Sequence, residues 1–163
     1  MKLIFRGLLL LLLGIMTIGN AGVVSAKTLE TIDMQTITIG NKTYYMVKTE
    51  DQLHSIGKGK YAMSYNYILD SNISLTQEWT AIGDDDNPFT GSFNGNGFTI
   101  SNLKTTSKTA KYIGLFGYVE EGSIYNVTLK NVNIESSGNN RRSISPIVAI
   151  CLDGKVYDNV VIK

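Results

Sequence analysis

Asp84, Asp85, Asp86 and Asn87 form the one concentrated acidic site in the sequence, four oxygen-bearing side chains in a row between the runs TAIG and PFTG. Oxygen-rich clusters suit Ca²⁺, so these three aspartates are the metal candidates. Successive side chains on an extended segment point to opposite sides, however, and the alternating D-x-D-x-D spacing of a calcium loop is missing. That geometry favours a solvated turn over a calcium site. His54 is the single histidine of the chain. A zinc centre or a Ser-His-Asp arrangement would have to be built on it alone, and no HExxH motif occurs. With no orienting partner beside it in sequence, His54 reads as an exposed helix residue. Cys151 is also single, which excludes an internal disulfide, and its setting in IVAICL suggests a small buried apolar residue rather than a reactive thiol. The adjacent pair Arg141-Arg142 follows SSGNN and reads as a solvated loop tip, the alternative being contact with an acidic partner. The tyrosines, 9 in number, include Tyr44, Tyr45, Tyr61, Tyr65, Tyr67, Tyr112 and Tyr118. They either line a face that contacts glycan or protein or stack inside the fold, with roughly half expected inside. No catalytic residue emerges from these candidates.

The N-terminus reads as an export signal. Lys2 and Arg6 supply the positive region, Leu8 to Ile18 is an uncharged apolar run, and Val24-Ser25-Ala26 is a small-residue cleavage pattern. A spanning helix needs about 20 predominantly apolar residues, and here Asn20 and several glycines interrupt the run, so cleavage after Ala26 is expected. No cysteine lies near the cleavage point, which argues against a lipid-anchored precursor. Loss of Lys2 and Arg6 lowers Lys+Arg from 15 to 13 against 14 Asp+Glu, leaving the mature chain near −1. It lacks the basic excess of nucleic-acid binders.

The elements that must position these groups are mostly short strands. TITI and KTYYMVKT alternate as strands and flank Gly40-Asn41, which predicts an N-terminal hairpin. TEDQLHSIGKG predicts a helix of about two turns, with Thr49 as N-cap, Gln52 three residues on, acidic Glu50 and Asp51 in the first turn and Gly57 at the end. Leu53 and Ile56 share its covering face. Residues 27–60 thus form the N-terminal strands and capping helix.

From Tyr61 onward, short apolar alternations are separated by Gly, Asn, Asp and Ser, with almost no helical period. GSIYNVTLK, starting at Gly122, recurs downstream as GKVYDNVVIK at Gly154 and has an upstream counterpart in GFTISNLK at Gly97. These copies align Asn102-Leu103, Asn126-Val127 and Asn159-Val160, which predicts an asparagine ladder at equivalent turns. YIGLFGYVEEG matches ISPIVAICLDG, setting Leu115 over Ile147, Phe116 over Val148 and Glu121 over Asp153. Strand-rich repeats of this length point to an all-β solenoid over residues 61–163, each unit burying its apolar face against a neighbour.

The stretch from IGKGKYAMSYNYILDSNISL through EWTAIG and PFTGSFNGNGFTISNL to YIGLFGYVEEGSIYNVTLKNVNI resembles the GLUG-repeat proteins, named for the motif seen here as Gly114-Leu115-Phe116-Gly117. The resemblance covers roughly Thr49 to Lys163. It implies a right-handed parallel β-helix-like fold in an exported surface protein of a Gram-positive bacterium. It also implies an adhesin-like scaffold or binding role with a protein or glycan partner, as in the non-catalytic regions of IgA-cleaving metallopeptidases. The second copy departs from the motif, with Pro146 and Ala149 at the two glycine positions. Polysaccharide-cleaving enzymes also use parallel β-helices with acidic clusters, so an extracellular enzyme of that class is the alternative. Against it, no paired carboxylates recur across adjacent repeats.

Asn94-Gly95-Asn96-Gly97 then reads as a corner where the backbone takes φ > 0 at successive positions, between strands carrying Phe89, Gly91 and Phe93 on one side and Phe98 and Ile100 on the other. A hairpin is the local alternative. A phosphate-binding loop is excluded because no P-loop lysine and no helix follow. The pattern runs into NVVIK without a polar capping segment, so the last coil is expected to associate end to end with another chain or to fray, as in a relative or fragment of longer surface proteins. Expression of the full chain in a secreting Gram-positive host is expected to yield a protein whose N-terminal sequence starts at Lys27. An intact Met1 on the exported product would refute the cleavage reading.

Overall fold

The computed structural model describes residues 33–107, 109–135 and 143–162. The expected export signal and the Arg141-Arg142 pair lie outside the described residues. The alternating runs near the N-terminus form the expected antiparallel hairpin of β1 (Thr36–Ile39) and β2 (Lys42–Val47), with Thr36 opposite Tyr45 and Ile39 opposite Lys42. Helix α1 (Glu50–Ser55) follows. The Thr49 hydroxyl accepts from the Gln52 N–H at 3.2 Å, as its cap position requires. The Gln52 side chain returns the bond one residue further out than a capping box does, accepting from the Lys48 N–H at 2.7 Å. Leu53 and Ile56 are buried, as their spacing predicted.

The rest is strand: β3 (Asn66–Leu69), β4 (Ile73–Ser74), β5 (Ser92–Asn94), β6 (Thr99–Ser101), β7 (Lys104–Thr105), β8 (Tyr112–Ile113), β9 (Phe116–Glu120), β10 (Ser123–Tyr125), β11 (Thr128–Lys130), β12 (Asn133–Ile134), β13 (Ser143–Ile144), β14 (Val148–Leu152), β15 (Lys155–Tyr157) and β16 (Val160–Ile162). The protein is all-β apart from α1 among the described residues. One sheet runs β1-β2-β3-β5-β10-β15, antiparallel only between β1 and β2, and a second runs β16-β11-β6-β4. Three parallel pairs, β12 with β7, β13 with β8 and β14 with β9, complete the pairing.

In-register pairing turns sequence alternation into rows of like side chains. Tyr45, Tyr67, Phe93, Ile124 and Val156 occupy one row, and Ile73, Ile100, Leu129 and Val161 a second. Ile82 bridges to Phe116, which pairs with Val148 in a third. The rows meet in one core. Phe116 lies 5.0 Å from Phe89 and 5.2 Å from Phe93, ring centre to ring centre, and all three are fully buried. Such aromatic contacts add about 1 kcal/mol each to the burial itself.

Register corrects the repeat alignment. Ser123 pairs with Ser92 and Leu129 with Ile100, so GSIYN is equivalent to GSFNG at Gly91, and Gly97 belongs to the corner. The sequence offset between paired strands shrinks across that corner, because the segment joining β5 to β6 is longer than the one joining β10 to β11. The asparagine ladder is accordingly reassigned. Asn131 Nδ2 donates to Asn102 Oδ1 at 3.3 Å, and Asn102 Nδ2 donates to Ser74 Oγ at 3.0 Å. Asn126 contacts Asn94 at 3.4 Å, and the Asn159 Oδ1 instead caps the Val127 N–H at 2.8 Å. The match of 112–122 with 144–154 holds at Phe116 and Val148 but is one residue off at its start, where Tyr112 pairs with Ser143 and Ile113 with Ile144.

The NGNG segment is a corner and not a hairpin, since β5 and β6 belong to different sheets. Its residues meet different demands. Asn96 and Gly97 have φ of 52° and 79°, whereas Gly95 is not in that region and is required by proximity: a Cβ there would sit 2.0 Å from the Asn126 carbonyl oxygen. Close approach also explains Gly114 and Gly117, whose added Cβ atoms would lie 2.2 Å from the Ser145 oxygen and 2.4 Å from the Gly83 oxygen. Cys151 is a second correction. It pairs with Val119, which is fully buried, yet Cys151 is exposed because no described strand pairs on the far side of β14.

Gly95→Ala is expected to cost about 3 kcal/mol, since the new methyl meets backbone and not a movable side chain. Gly97→Asn, at a positive φ with open space around it, is expected to cost about 1 kcal/mol or less. Urea denaturation of the two variants measures the difference. Equal losses would contradict the distinction between close approach and backbone conformation.

Candidate functional site

The acidic loop does not stand alone. It forms one wall of a cleft of about 310 Å³ lined by Trp79, Asp84, Asp85, Asp86, Lys111 and Tyr112. Asp84 folds the loop on itself, its Oδ1 accepting from the N–H groups of Asp86 at 3.1 Å and Asn87 at 2.8 Å. This is the solvated turn expected from the sequence, with local bonds that Asp and Asn make readily. All three aspartates are exposed, and one oxygen from each lies within 4.8 Å of the others. Asp85 is paired with Lys111, which holds its carboxyl below the usual aspartate range and raises the lysine in turn. The Lys111 ammonium also lies 5.0 Å from the centre of the Tyr112 ring. A calcium ion on the three carboxylates would have to displace Lys111 and compete with two backbone amides, so the donor set fits the ion poorly. Carboxylate acceptors, an ammonium donor and an aromatic ring side by side fit hydroxyl- and amide-bearing ligands better.

The cleft continues past Trp79 toward α1, where a second hollow of about 200 Å³ is lined by His54, Met63, Trp79 and Asp84. Here the expectation for His54 fails. Its ring packs against Trp79 at 4.5 Å between centres, and its Nε2 is buried without a hydrogen-bond partner among the described residues, 3.8 Å from Glu50 Oε1. Burial is the largest influence and keeps its pKa below the ordinary value; Glu50 opposes this. Glu50 itself is a clamp. Its carboxylate accepts from the N–H groups of Thr76 at 2.9 Å and Gln77 at 3.0 Å and from the Thr76 hydroxyl at 2.6 Å. Desolvation pushes its pKa up, but those bonds outweigh it and leave the group lowered. Trp79 is anchored from inside, donating its Nε1–H to the Leu115 carbonyl at 3.1 Å.

Of the sequence candidates, the cleft gathers the three aspartates and Tyr112, with His54 next to it. The other tyrosines divide. Tyr44, Tyr61 and Tyr67 are buried, and Tyr65 is exposed and stacked on Tyr45 at 5.3 Å. Cys151 lies outside both hollows. Sequence reasoning missed Lys111, Trp79 and Glu50. Lys111 follows Asp85 by 26 positions, close to the repeat spacing, and that offset is the signal that could have found it.

Among curated proteins, the chain is similar to one described as a Gly-rich membrane protein from Evansella cellulosilytica, 30% identical over 130 residues covering 73% of this chain and 14% of that protein. It is also similar to halomucin from Haloquadratum walsbyi, 31% identical over 106 residues covering 55% of this chain and 1% of halomucin. The chain thus spans a small fraction of the length of both relatives. No protein-family model matches it, and no solved structure matches it.

The two ionisable groups beside Trp79 set a pH dependence. A histidine with its pKa lowered in the fold stabilises fully above its free value of 6.5 and less as pH falls below it. Glu50, lowered from 4.5, adds a further loss below that value. Stability to urea is therefore expected to fall from pH 7.5 to pH 5.5 and more steeply below pH 4.5. The single histidine gives one resolved set of ring-proton resonances, whose titration midpoint is expected below 6.5; a midpoint at or above that value would contradict the packed ring.

Proposed function

We propose that the chain is an exported, non-enzymatic interaction or scaffold module of the cell envelope, built as a right-handed parallel β-helix-like solenoid of the GLUG type. The observation that carries this reading is the in-register parallel pairing of successive segments, with interior rows apolar and polar side chains at the outer corners. Such a body offers a long, rigid lateral surface without moving parts, which suits display and adhesion. The relatives support an envelope setting. One is described as a membrane protein, and in both the similar region is a small part of a longer chain. The cleft of Asp84 to Asp86, Lys111 and Tyr112 is the ligand-facing feature, and its donor and acceptor set fits glycan hydroxyls or protein amides. The acidic groups are surface acceptors in this reading, and no metal or organic cofactor takes part.

The test is a glycan and host-protein array probed with the exported full-chain product, with calcium and with chelator, read for retention and for cleavage. Retained and uncleaved ligand is expected, unchanged by chelator and weakened about tenfold by Lys111→Ala together with Tyr112→Ala. Cleavage of any array substrate would overturn the non-enzymatic reading. Retention that requires calcium would overturn the metal-free one.

A further inference from the structure

The sequence holds two Asn-Gly pairs, Asn94-Gly95 and Asn96-Gly97, side by side at the corner between β5 and β6. This dipeptide has a chemistry of its own. The glycine nitrogen can attack the carbonyl carbon of the asparagine side chain, and glycine has no Cβ to shield that approach. What decides the outcome is how firmly the nitrogen and the amide are held, and here the two pairs differ. At the first pair both groups are committed. Gly95 is buried, its N–H donates to the Tyr125 carbonyl at 2.9 Å, and the backbone of Asn126 crowds it. The Asn94 Oδ1 accepts from the Asn96 N–H at 2.9 Å and from Asn126 Nδ2 at 3.4 Å. At the second pair the nitrogen is unheld. Asn96 and Gly97 are exposed, the Gly97 N–H has no hydrogen-bond partner among the described residues, and the space around Gly97 is open. A single bond fixes the Asn96 side chain, from its Nδ2 to the Leu69 carbonyl at 3.1 Å.

We propose that Asn96 is a site of spontaneous modification, at which the side-chain amide is lost to water through a five-membered imide formed with Gly97, while Asn94 is protected by the fold. The Gly97 nitrogen bonds to Asn96 Cγ and gives its proton to solvent, the Cγ–Nδ2 bond breaks, and ammonia leaves. Water then opens the imide at either carbonyl. Opening at Cγ restores the ordinary backbone with an aspartate at 96, and opening at the α-carbonyl leaves the chain running through Cγ as isoaspartate. One water enters and one ammonia departs, with no change of oxidation state. Either product puts a carboxylate, which cannot donate, where Nδ2 donated to the Leu69 carbonyl, so the tie from this corner to β3 is lost. Isoaspartate also lengthens the backbone next to Gly95, which has no room to shift. The proposal rests on the corner alone and does not depend on the ligand-binding reading.

Peptide mapping by mass spectrometry of the exported full-chain product, held folded at mildly alkaline pH, tests it. Conversion is expected at Asn96 at least about tenfold faster than at Asn94, because the first pair must open a buried strand bond before it can react. In urea both pairs are expected to convert alike. Gly97→Asn, which the corner accommodates, is expected to slow conversion at Asn96 at least about tenfold by placing a Cβ beside the attacking nitrogen, and thermal melting confirms that the variant is folded. Asn96→Asp is expected to melt at a lower temperature than the parent. Conversion at Asn94 as fast as at Asn96 would overturn the proposal, as would an unreacted folded chain over a period in which the unfolded chain converts fully. Aspartate formed without isoaspartate, or conversion indifferent to Gly97→Asn, would overturn the imide route. Unaltered melting of Asn96→Asp would overturn the part assigned to the Leu69 bond.

Discussion

The structure depends on one constraint: the backbone groups of the parallel strands are satisfied by a strand that lies a whole repeat away in the chain. Parallel pairing of this kind leaves no freedom in register, because a one-residue slip would turn Phe93 or Leu129 out of the core and bring a polar neighbour in. Everything else follows from keeping that register. The apolar rows fill the interior only when the residues above and below match in size and side. The chain meets this with Tyr67, Phe93 and Ile124 in one row and Ile100 and Leu129 in another. The core is therefore made of contacts between repeats, and no single repeat holds one of its own.

The corners carry the second half of the constraint. At Asn96, Asn102, Asn126 and Asn131 the backbone takes positive φ, where asparagine is tolerated better than most side chains. Several of the same asparagines then bond across to the neighbouring segment, so one residue type both turns the chain and holds adjacent turns together. Where backbone meets backbone, only glycine fits, as at Gly95 and Gly117. The acidic loop is a different kind of corner. Its cohesion comes from Asp84 bonding to its own loop and from the Asp85–Lys111 pair, which leaves a polar cleft on the outside of the fold.

Local pattern was legible in the sequence, and distant pairing was legible only in outline. The hairpin, the Thr49 cap and the buried Leu53 and Ile56 could all be read because their determinants lie within a few residues. The match of Phe116 with Val148 was also readable, since β9 and β14 keep one offset along their whole length. The Gly97 alignment failed because the corner after β5 is longer than its counterpart after β10, and nothing local reveals which residues are extra. Cys151 sits in an apolar run at an inward position, so its exposure is a property of what lies beyond it and not of its neighbours in sequence. His54 was misread for a related reason: its partner Trp79 comes from a different segment. Of the candidate site, the carboxylates were visible, but Lys111, which pairs with Asp85, was not.

The hairpin has a bearing on the order in which the protein assembles. Strands joined by long segments must close large loops before any contact rewards them, which makes parallel ladders slow to nucleate. β1 and β2 pair across a short turn and precede the parallel ladders in the chain, so their pairing closes a far smaller loop than any later one. The free side of β2 is the edge on which β3 pairs, and β3 in turn offers its other edge to β5. The local hairpin thereby supplies the one edge on which the first parallel strand of the ladder can pair without a partner of its own length closing behind it.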